Sequence, residues 1–114
     1  MTNIDDLKTK KAFQEAKKGG PLLIDFYTTW CGPCKKQAEV ISECKDDLIT
    51  AHPQLSVFKI NIECDRFFEK LADKLGIRSI PQLALFNGNG SVHMMRPGVK
   101  YADDIKKFLK EYLN

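Results

Sequence analysis

The chain has 114 residues, of which 43% are hydrophobic and 29% are charged, and its formal net charge is +3. This length is typical of a single domain with one core, and the hydrophobic content is ordinary for a soluble globular protein. The lysines are scattered and do not form a basic stripe, which argues against a nucleic-acid-binding surface. We therefore predict one domain over residues 1–114 that binds no nucleic acid.

The N-terminal segment, MTNIDDLKTKKAF, carries acidic residues and has no long apolar run. Secretory signals and transmembrane helices both require an apolar stretch, so this segment predicts neither, and we expect no membrane association. If Met1 is the native start, we expect a cytoplasmic protein. An exported form from which a signal has been removed is the alternative.

Hydrophobic patterning divides the chain into four helices and four strands. The apolar run LLIDFY does not alternate, which predicts a strand buried on both faces of a sheet, and the sequence NGNG predicts a hairpin turn. We predict helices over residues 7–18, 34–51, 66–76 and 101–113, and strands over residues 22–27, 56–62, 82–86 and 91–95. A short edge strand in residues 2–5 is a further candidate.

This order of elements predicts an α/β fold with a central mixed β-sheet of four to five strands, sandwiched by four helices. Strand–helix–strand units favour parallel pairing, and the hairpin near the end of the chain adds an antiparallel strand. No repeat, low-complexity tract or linker interrupts the sequence.

Two cysteines lie two residues apart in the motif WCGPC. The same spacing serves structural zinc, haem attachment and thiol–disulfide exchange, so the flanking sequence must decide. The motif follows the first predicted strand and opens a helix, where unpaired backbone N–H groups and the helix dipole stabilise a thiolate. Gly32 permits a tight turn, and Pro33 suits a first helical turn. We therefore predict Cys31 as a nucleophile and the more shielded Cys34 as the thiol that resolves a mixed disulfide.

Asp25 is the polar residue in the apolar strand LLIDFY. Burial of a carboxylate is costly and raises its pKa toward neutrality, which suits a general base for Cys34. The alternative is a buried aspartate that is satisfied by backbone groups or serves as a cap. Lys59, on the next strand, could pair with Asp25, or it could be an edge lysine that faces solvent.

Ile80 and Pro81 stand at the start of the strand QLALF. Proline is tolerated there because the first residue of a strand needs no ladder N–H. A cis bond would let the Ile80 backbone face the cysteine pair and bind an extended substrate by strand addition. From the local sequence alone, we expect the trans isomer.

The motif WCGPCK, the upstream pair DF, the segments KINIE and GIRSIPQLALF, and a lone later glycine have the order and near-correct spacing of the thioredoxin family. The chain resembles that family over nearly its whole length, which implies the thioredoxin fold. The resemblance also implies roles for four residues: nucleophile at Cys31, resolving cysteine at Cys34, buried proton acceptor at Asp25 and supporting partner at Lys59.

The same resemblance implies a cis bond before Pro81 and a rim on which substrate peptides lie. The rim residues are Trp30, Gly32, Pro33, Ile80, Pro81 and Gly98. Gln82 stands where the family usually has threonine, and this departure borders the rim.

The resemblance further implies a protein disulfide reductase that works by dithiol–disulfide exchange. Its redox group would be its own Cys31–Cys34 disulfide, with no bound cofactor and no metal. Its partners would be disulfide-containing proteins and an NADPH-dependent thioredoxin reductase, and the protein would be a monomeric electron carrier.

The residues leave three alternatives. The same fold could serve a specialised reductase, an oxidant or an isomerase in an exported compartment, or a binding module in which redox chemistry is dispensable. A zinc site could use Cys31, Cys34, Cys44 and Cys64, although the second pair lacks the spacing of the first. If there is no zinc site, we expect Cys44 and Cys64 to be buried or half-buried small residues. The alternative is a regulatory thiol, for which Cys64 is the candidate.

Overall fold

The computed structural model describes residues 4–113. Its strands are β1 (Asp5–Asp6), β2 (Leu22–Tyr27), β3 (Ser56–Asn61), β4 (Gln82–Phe86) and β5 (Val92–Met94), and its helices are α1 (Lys10–Lys18), α2 (Gly32–Ala51), α3 (Arg66–Lys74) and α4 (Ala102–Tyr112). All the predicted helices and main strands are present. Of the candidate edge strand, residue 5 begins β1, whereas residues 2 and 3 lie outside the described part of the chain.

Side-chain caps explain where two of the helices begin. Thr9 caps α1 by accepting a backbone hydrogen bond at 3.0 Å, so this helix starts after Thr9 and not at residue 7 as predicted. Asp65 caps α3 by accepting a hydrogen bond from the Phe67 N–H at 2.8 Å. After α3, Gly76 has a φ of +75°, the left-handed conformation that commonly follows the end of a helix.

The five strands form a sheet in the order β1–β3–β2–β4–β5. β2 lies at its centre and is buried except at Tyr27, as its unbroken apolar run predicts. It pairs in parallel with β3, where Asp25 lies opposite Lys59, and antiparallel with β4, where Asp25 lies opposite Leu83. The polar residue of the central strand is therefore enclosed by neighbours on both sides.

The direction of β4 differs from the prediction. A strand–helix–strand unit usually returns to the sheet in parallel, but β4 is antiparallel to β2, and its first residue, Gln82, lies opposite Phe26. β3 ends at this same end of the sheet. Through α3 and residues 75–81, the chain therefore returns to the end of the sheet that it left. The return carries Pro81 to the end of the sheet where β2 finishes.

Apolar layers cover both faces of the sheet. On one face, α2 and α4 pack against the strands through residues that include Ile41 and Leu109. On the other face, α1 and α3 contribute Phe13 and Phe68, whose rings meet edge-on at 6.2 Å between centroids. Within the described residues, no helix is both long and apolar enough to span a membrane.

Candidate active site

The Cys31–Cys34 disulfide lies at the junction of β2 and α2, and the two Cα atoms are 5.3 Å apart. Cys31 is the N-cap of α2, and its Sγ accepts a hydrogen bond from the Cys34 N–H at 3.2 Å. The helix begins at Gly32, two residues before the predicted start, and Pro33 occupies its first turn, where no N–H is needed. In the reduced protein, the N–H groups of this turn favour a negative charge on the Cys31 sulfur.

The oxidised cysteine pair is buried, but the neighbouring Trp30 is exposed to solvent. Cys31 is 6% exposed and Cys34 is 3% exposed, so Cys34 is shielded as predicted, and Cys31 is nearly as well covered. Trp30 is 70% exposed, and its Nε1 donates a hydrogen bond to Glu63 Oε1 at 2.8 Å. Glu63 therefore holds the indole beside the disulfide without burying it.

The Ile80–Pro81 peptide bond is cis. The trans isomer expected from the local sequence is therefore wrong, and the cis bond implied by the family resemblance is present. The Ile80 carbonyl oxygen lies 3.9 Å from Cys31 Sγ, and the Gly98 N–H donates to the Pro81 carbonyl at 3.0 Å. Gly98 has a φ of +105°, which favours glycine. Two distant segments of the chain thus meet beside the disulfide.

Asp25 is 1% exposed, and neither of its carboxyl oxygens has a hydrogen-bond partner among residues 4–113. The alternative of a carboxyl satisfied by backbone groups or acting as a cap therefore does not fit. Burial raises the pKa of Asp25 from 3.8 to about 7, while the charge of Lys59 lowers it and the charge of Asp6 raises it further. This carboxyl group can gain or lose a proton near neutral pH.

Lys59 is half-buried and is not an edge lysine that faces solvent. Its Nζ lies 3.9 Å from Asp6 Oδ2 and 5.2 Å from the centre of the Tyr27 ring. The Tyr27 hydroxyl donates to the other carboxylate oxygen of Asp6, and burial, followed by this hydrogen bond, raises the pKa of Tyr27. Sequence reasoning missed Asp6. The signal was the candidate N-terminal edge strand, because parallel pairing with β3 brings its side chains to Lys59.

A pocket of about 220 Å³ opens beside Cys34 and Lys59. Its wall includes Thr28, a buried residue whose hydroxyl oxygen has no hydrogen-bond partner within residues 4–113. A single water molecule needs roughly 10–15 Å³ of accessible volume. The pocket therefore has room for solvent next to the resolving side of the disulfide.

Sequence reasoning also missed the burial of two glutamines. Gln37 and Gln82 are both buried, and both bind backbone groups in residues 95–100. Ala38, the next residue along α2, is only half-buried. The signal was the helical repeat, because Gln37 lies three residues after Cys34 and so falls on the same buried face.

The other two cysteines are free, with Cys44 buried and Cys64 exposed. Burial raises the pKa of both thiols, and for Cys64 the charges of Asp65 and Asp6 raise it further. Cys64 has the exposure that a regulatory thiol needs, but its raised pKa lowers its thiolate fraction. In the described part of the chain, no group of three or more His, Cys, Asp or Glu side chains is placed to hold a metal ion, so the four cysteines are not gathered into a zinc site.

Replacing Asp25 with Asn should stabilise the oxidised protein at neutral and alkaline pH. A carboxyl with a raised folded-state pKa binds its proton more tightly in the fold than in the unfolded chain. The resulting stability is fully present below about pH 4 and is lost as the pH rises to about 7. A rise in pKa from 3.8 to about 7 is roughly a thousandfold increase in proton affinity, and each tenfold corresponds to about 1.4 kcal/mol. The free energy of unfolding therefore falls by about 4 kcal/mol over this pH range in the wild type, and the Asn variant avoids this fall.

Urea unfolding of the Asp25→Asn variant and the wild type between about pH 4 and pH 9 measures this difference. Asp5→Asn makes the same chemical change at an exposed strand residue and serves as the matched control, with an expected pH dependence close to that of the wild type. A stability difference between Asp25→Asn and the wild type that stays constant with pH would contradict the raised pKa.

Comparison with known proteins identifies the family. The thioredoxin family model matches residues 6–111. The thioredoxin of Pseudomonas aeruginosa is 36% identical over 93 residues, which cover 82% of this chain and 80% of that protein. The thioredoxin of Rickettsia typhi is 31% identical over 114 residues, which cover 100% of this chain and 96% of that protein.

Solved structures agree on the fold. A thioredoxin of Malassezia sympodialis superposes with a TM-score of 0.77 at 21% identity, covering 98% of this chain and 92% of the other. A mutant thioredoxin from Halobacterium salinarum gives a TM-score of 0.76 at 23% identity, with 98% and 92% covered. The matched range includes the disulfide at the start of α2, and the chain therefore belongs to the thioredoxin family and is a thiol–disulfide oxidoreductase.

Proposed function

We propose that this protein reduces the disulfides of other proteins, with Cys31 as the nucleophile and Cys34 as the resolving cysteine. The observation that carries the proposal is the position of the Cys31 sulfur at the N-cap of α2, beside the Ile80 carbonyl. A thiolate at this position is stabilised by the helix N-terminus, so it is populated near neutral pH.

The exchange has two steps. In the reduced protein, the Cys31 thiolate attacks one sulfur of a substrate disulfide, and the other substrate sulfur leaves as a thiolate and takes up a proton. Cys34 then loses its proton and attacks the Cys31 sulfur, which releases the second substrate thiol. Two electrons pass to the substrate, and the oxidised product is the Cys31–Cys34 disulfide.

Asp25 accepts the proton of Cys34 in the second step. Its pKa of about 7 suits a base that works near neutral pH and is restored after each cycle. Lys59 supports this role because its positive charge favours the ionised carboxylate. The pocket lined by Cys34 and Lys59 has room for solvent, and we propose that a water molecule there relays the proton from Cys34 toward Asp25.

Substrate docks along the rim formed by Ile80, Pro81 and Gly98, beside exposed Trp30 and the Gly32–Pro33 turn. The Ile80 carbonyl lies next to the reactive sulfur. An extended segment that bonds to this backbone would have its cysteine held against Cys31, and such main-chain contacts tolerate many side chains.

The protein works as a monomeric electron carrier in the cytoplasm, where an NADPH-dependent thioredoxin reductase returns its disulfide to the dithiol. The redox balance supports a two-electron donor of this kind, because each reduced substrate leaves the Cys31–Cys34 pair oxidised. The free thiols of Cys44 and Cys64 support a reducing compartment, in which unpaired cysteines are normal.

The equilibrium reduction potential of the Cys31–Cys34 pair should lie below that of the glutathione couple. Titration against a thiol–disulfide buffer measures it, with fluorescence of the adjacent Trp30 as the readout. Cys31→Ser is the control and should show no redox-dependent change in fluorescence. A potential above the glutathione couple would favour the alternative of an oxidant or isomerase in an exported compartment.

Replacing Cys34 with Ser should trap mixed disulfides on Cys31, because a hydroxyl cannot resolve them. Mass spectrometry of the variant incubated with oxidised insulin should find close to one adduct per chain. Cys31→Ser should trap none. Adducts found on Cys64 would overturn the assignment of the nucleophile, and a cellular function that survives Cys31→Ser would favour the redox-dispensable binding module.

Asp25→Asn should slow the resolving step more at low pH than at high pH. Below about pH 7, the base-assisted rate and the unassisted rate both decrease by the same factor as the pH is lowered. The ratio of the two rates is therefore constant there, and the loss in the variant is on the order of 10²-fold. Once the pH is high enough for Cys34 to ionise unaided, the loss disappears. Rapid-quench measurement of product release across this range, with Asp5→Asn as the control, checks the prediction. A loss independent of pH would mean that Asp25 has only a structural role.

A further inference from the structure

Residues 95–100, called here the rim segment, connect β5 to α4 and pass beside Pro81. The rim segment has no regular secondary structure, yet it carries Gly98, whose N–H donates to the Pro81 carbonyl at 3.0 Å. Irregular backbone needs other partners to hold its position. Buried glutamine side chains supply them at both ends of the rim segment.

Gln37 holds the end of the rim segment that leads to α4. It is 0% exposed, its Nε2 donates to the Lys100 carbonyl at 2.8 Å, and the Lys100 N–H donates to its Oε1 at 2.6 Å. Both polar ends of one amide thus bind the main chain of one residue, which fixes its orientation as well as its distance. Gln37 lies one helical turn after Cys34, so the same part of α2 carries the resolving sulfur and this contact.

Gln82 holds the other end. It directly follows Pro81, it is buried, and its Nε2 donates to the Met95 carbonyl and to the Leu83 carbonyl. The rim segment is therefore attached at its start through Gln82, in its middle through Gly98 and at its end through Gln37. The three attachments link it to β4 and α2, which carry Pro81 and Cys34.

We propose that Gln37 is a positioning residue that clamps the rim segment to α2 and keeps Gly98 on Pro81, so that the docking edge is set before substrate arrives. The inference rests on the proposed function, because it concerns docking at that edge. A preorganised edge lowers the cost of ordering that binding would otherwise carry. Loss of the clamp should weaken the docking of protein substrates while sparing exchange with small disulfides, which need no docking edge.

Gln37→Met tests the clamp, because it keeps the length and apolar volume of the side chain and removes both hydrogen bonds. We expect the KM for insulin reduction to rise about tenfold, equivalent to about 1.4 kcal/mol, with kcat and the rate with 5,5′-dithiobis(2-nitrobenzoate) within about twofold of wild type. Ile49→Ala is the control, since Ile49 is a half-buried residue of the same helix that packs on the same core. It should leave KM unchanged. Equal losses with both disulfides, or a KM within twofold of wild type, would overturn the proposal.

Gln37→Glu supplies a second test that a loss of packing cannot imitate. A protonated carboxyl can donate to the Lys100 carbonyl and accept from its N–H, as the amide does, whereas a carboxylate can only accept. The KM of this variant relative to wild type should fall toward one as the pH is lowered through the pKa of the introduced carboxyl. A ratio that does not change with pH would contradict the clamp.

Amide hydrogen exchange separates the clamp from the proposed function. In Gln37→Met, exchange at the Lys100 and Gly98 amides should be at least about tenfold faster than in wild type, and unchanged in Ile49→Ala. Unchanged exchange at both amides in Gln37→Met overturns the clamp whatever the activity. If the wild type does not reduce insulin, the proposed function fails, and the exchange rates still decide whether Gln37 holds the rim segment.

Discussion

The position of β2 between β3 and β4 is the constraint on which the rest of the site depends. Because β2 is buried on both faces, its register is strongly specified, and a slip of one residue would exchange the side chains of its two faces. The fixed register places Asp25 opposite Lys59 and Leu83, away from solvent. It also fixes where the chain leaves the sheet, so the Cys31 sulfur arrives at the N-cap of α2.

Burial is the main cause of the raised pKa of Asp25, and the charge of Lys59 lowers that pKa only in part. Lys59 contacts the carboxylate of Asp6 at 3.9 Å and influences Asp25 through space without a direct ion pair. A close ion pair would have held the Asp25 pKa low and kept the group ionised throughout a catalytic cycle. Tyr27 occupies the other oxygen of Asp6, which helps to keep Asp6 at the edge of this cluster. The buried carboxyl of Asp25 therefore destabilises the fold when it is ionised. The same burial allows it to change protonation near neutral pH.

Sequence patterns predicted the features that depend on neighbouring residues. The strand LLIDFY, the hairpin at NGNG and the cysteine pair at a helix start all follow from local periodicity, turn chemistry and helix-end electrostatics. The antiparallel direction of β4 did not follow, because strand order and direction are set by packing across the sheet. The cis bond before Pro81 came from the family resemblance, since the local preference is trans. Gln37 was missed because its partner, the Lys100 backbone, lies far away in sequence.

The chemistry of the site depends on residues that are neighbours in sequence, whereas the proposed recognition of substrate depends on residues that are distant in sequence. The disulfide and its helix cap come from four consecutive residues, so they depend mainly on the end of β2. At the rim, Pro81 and Gly98 are joined by a hydrogen bond between main-chain groups. A main-chain edge distinguishes little between side chains, so differences between substrates must arise from how that edge is held and from what borders it. The buried amides of Gln37 and Gln82 bind the backbone of residues 95–100. Under the docking mode proposed above, substitution at either should alter docking while the Cys31–Cys34 chemistry stays the same.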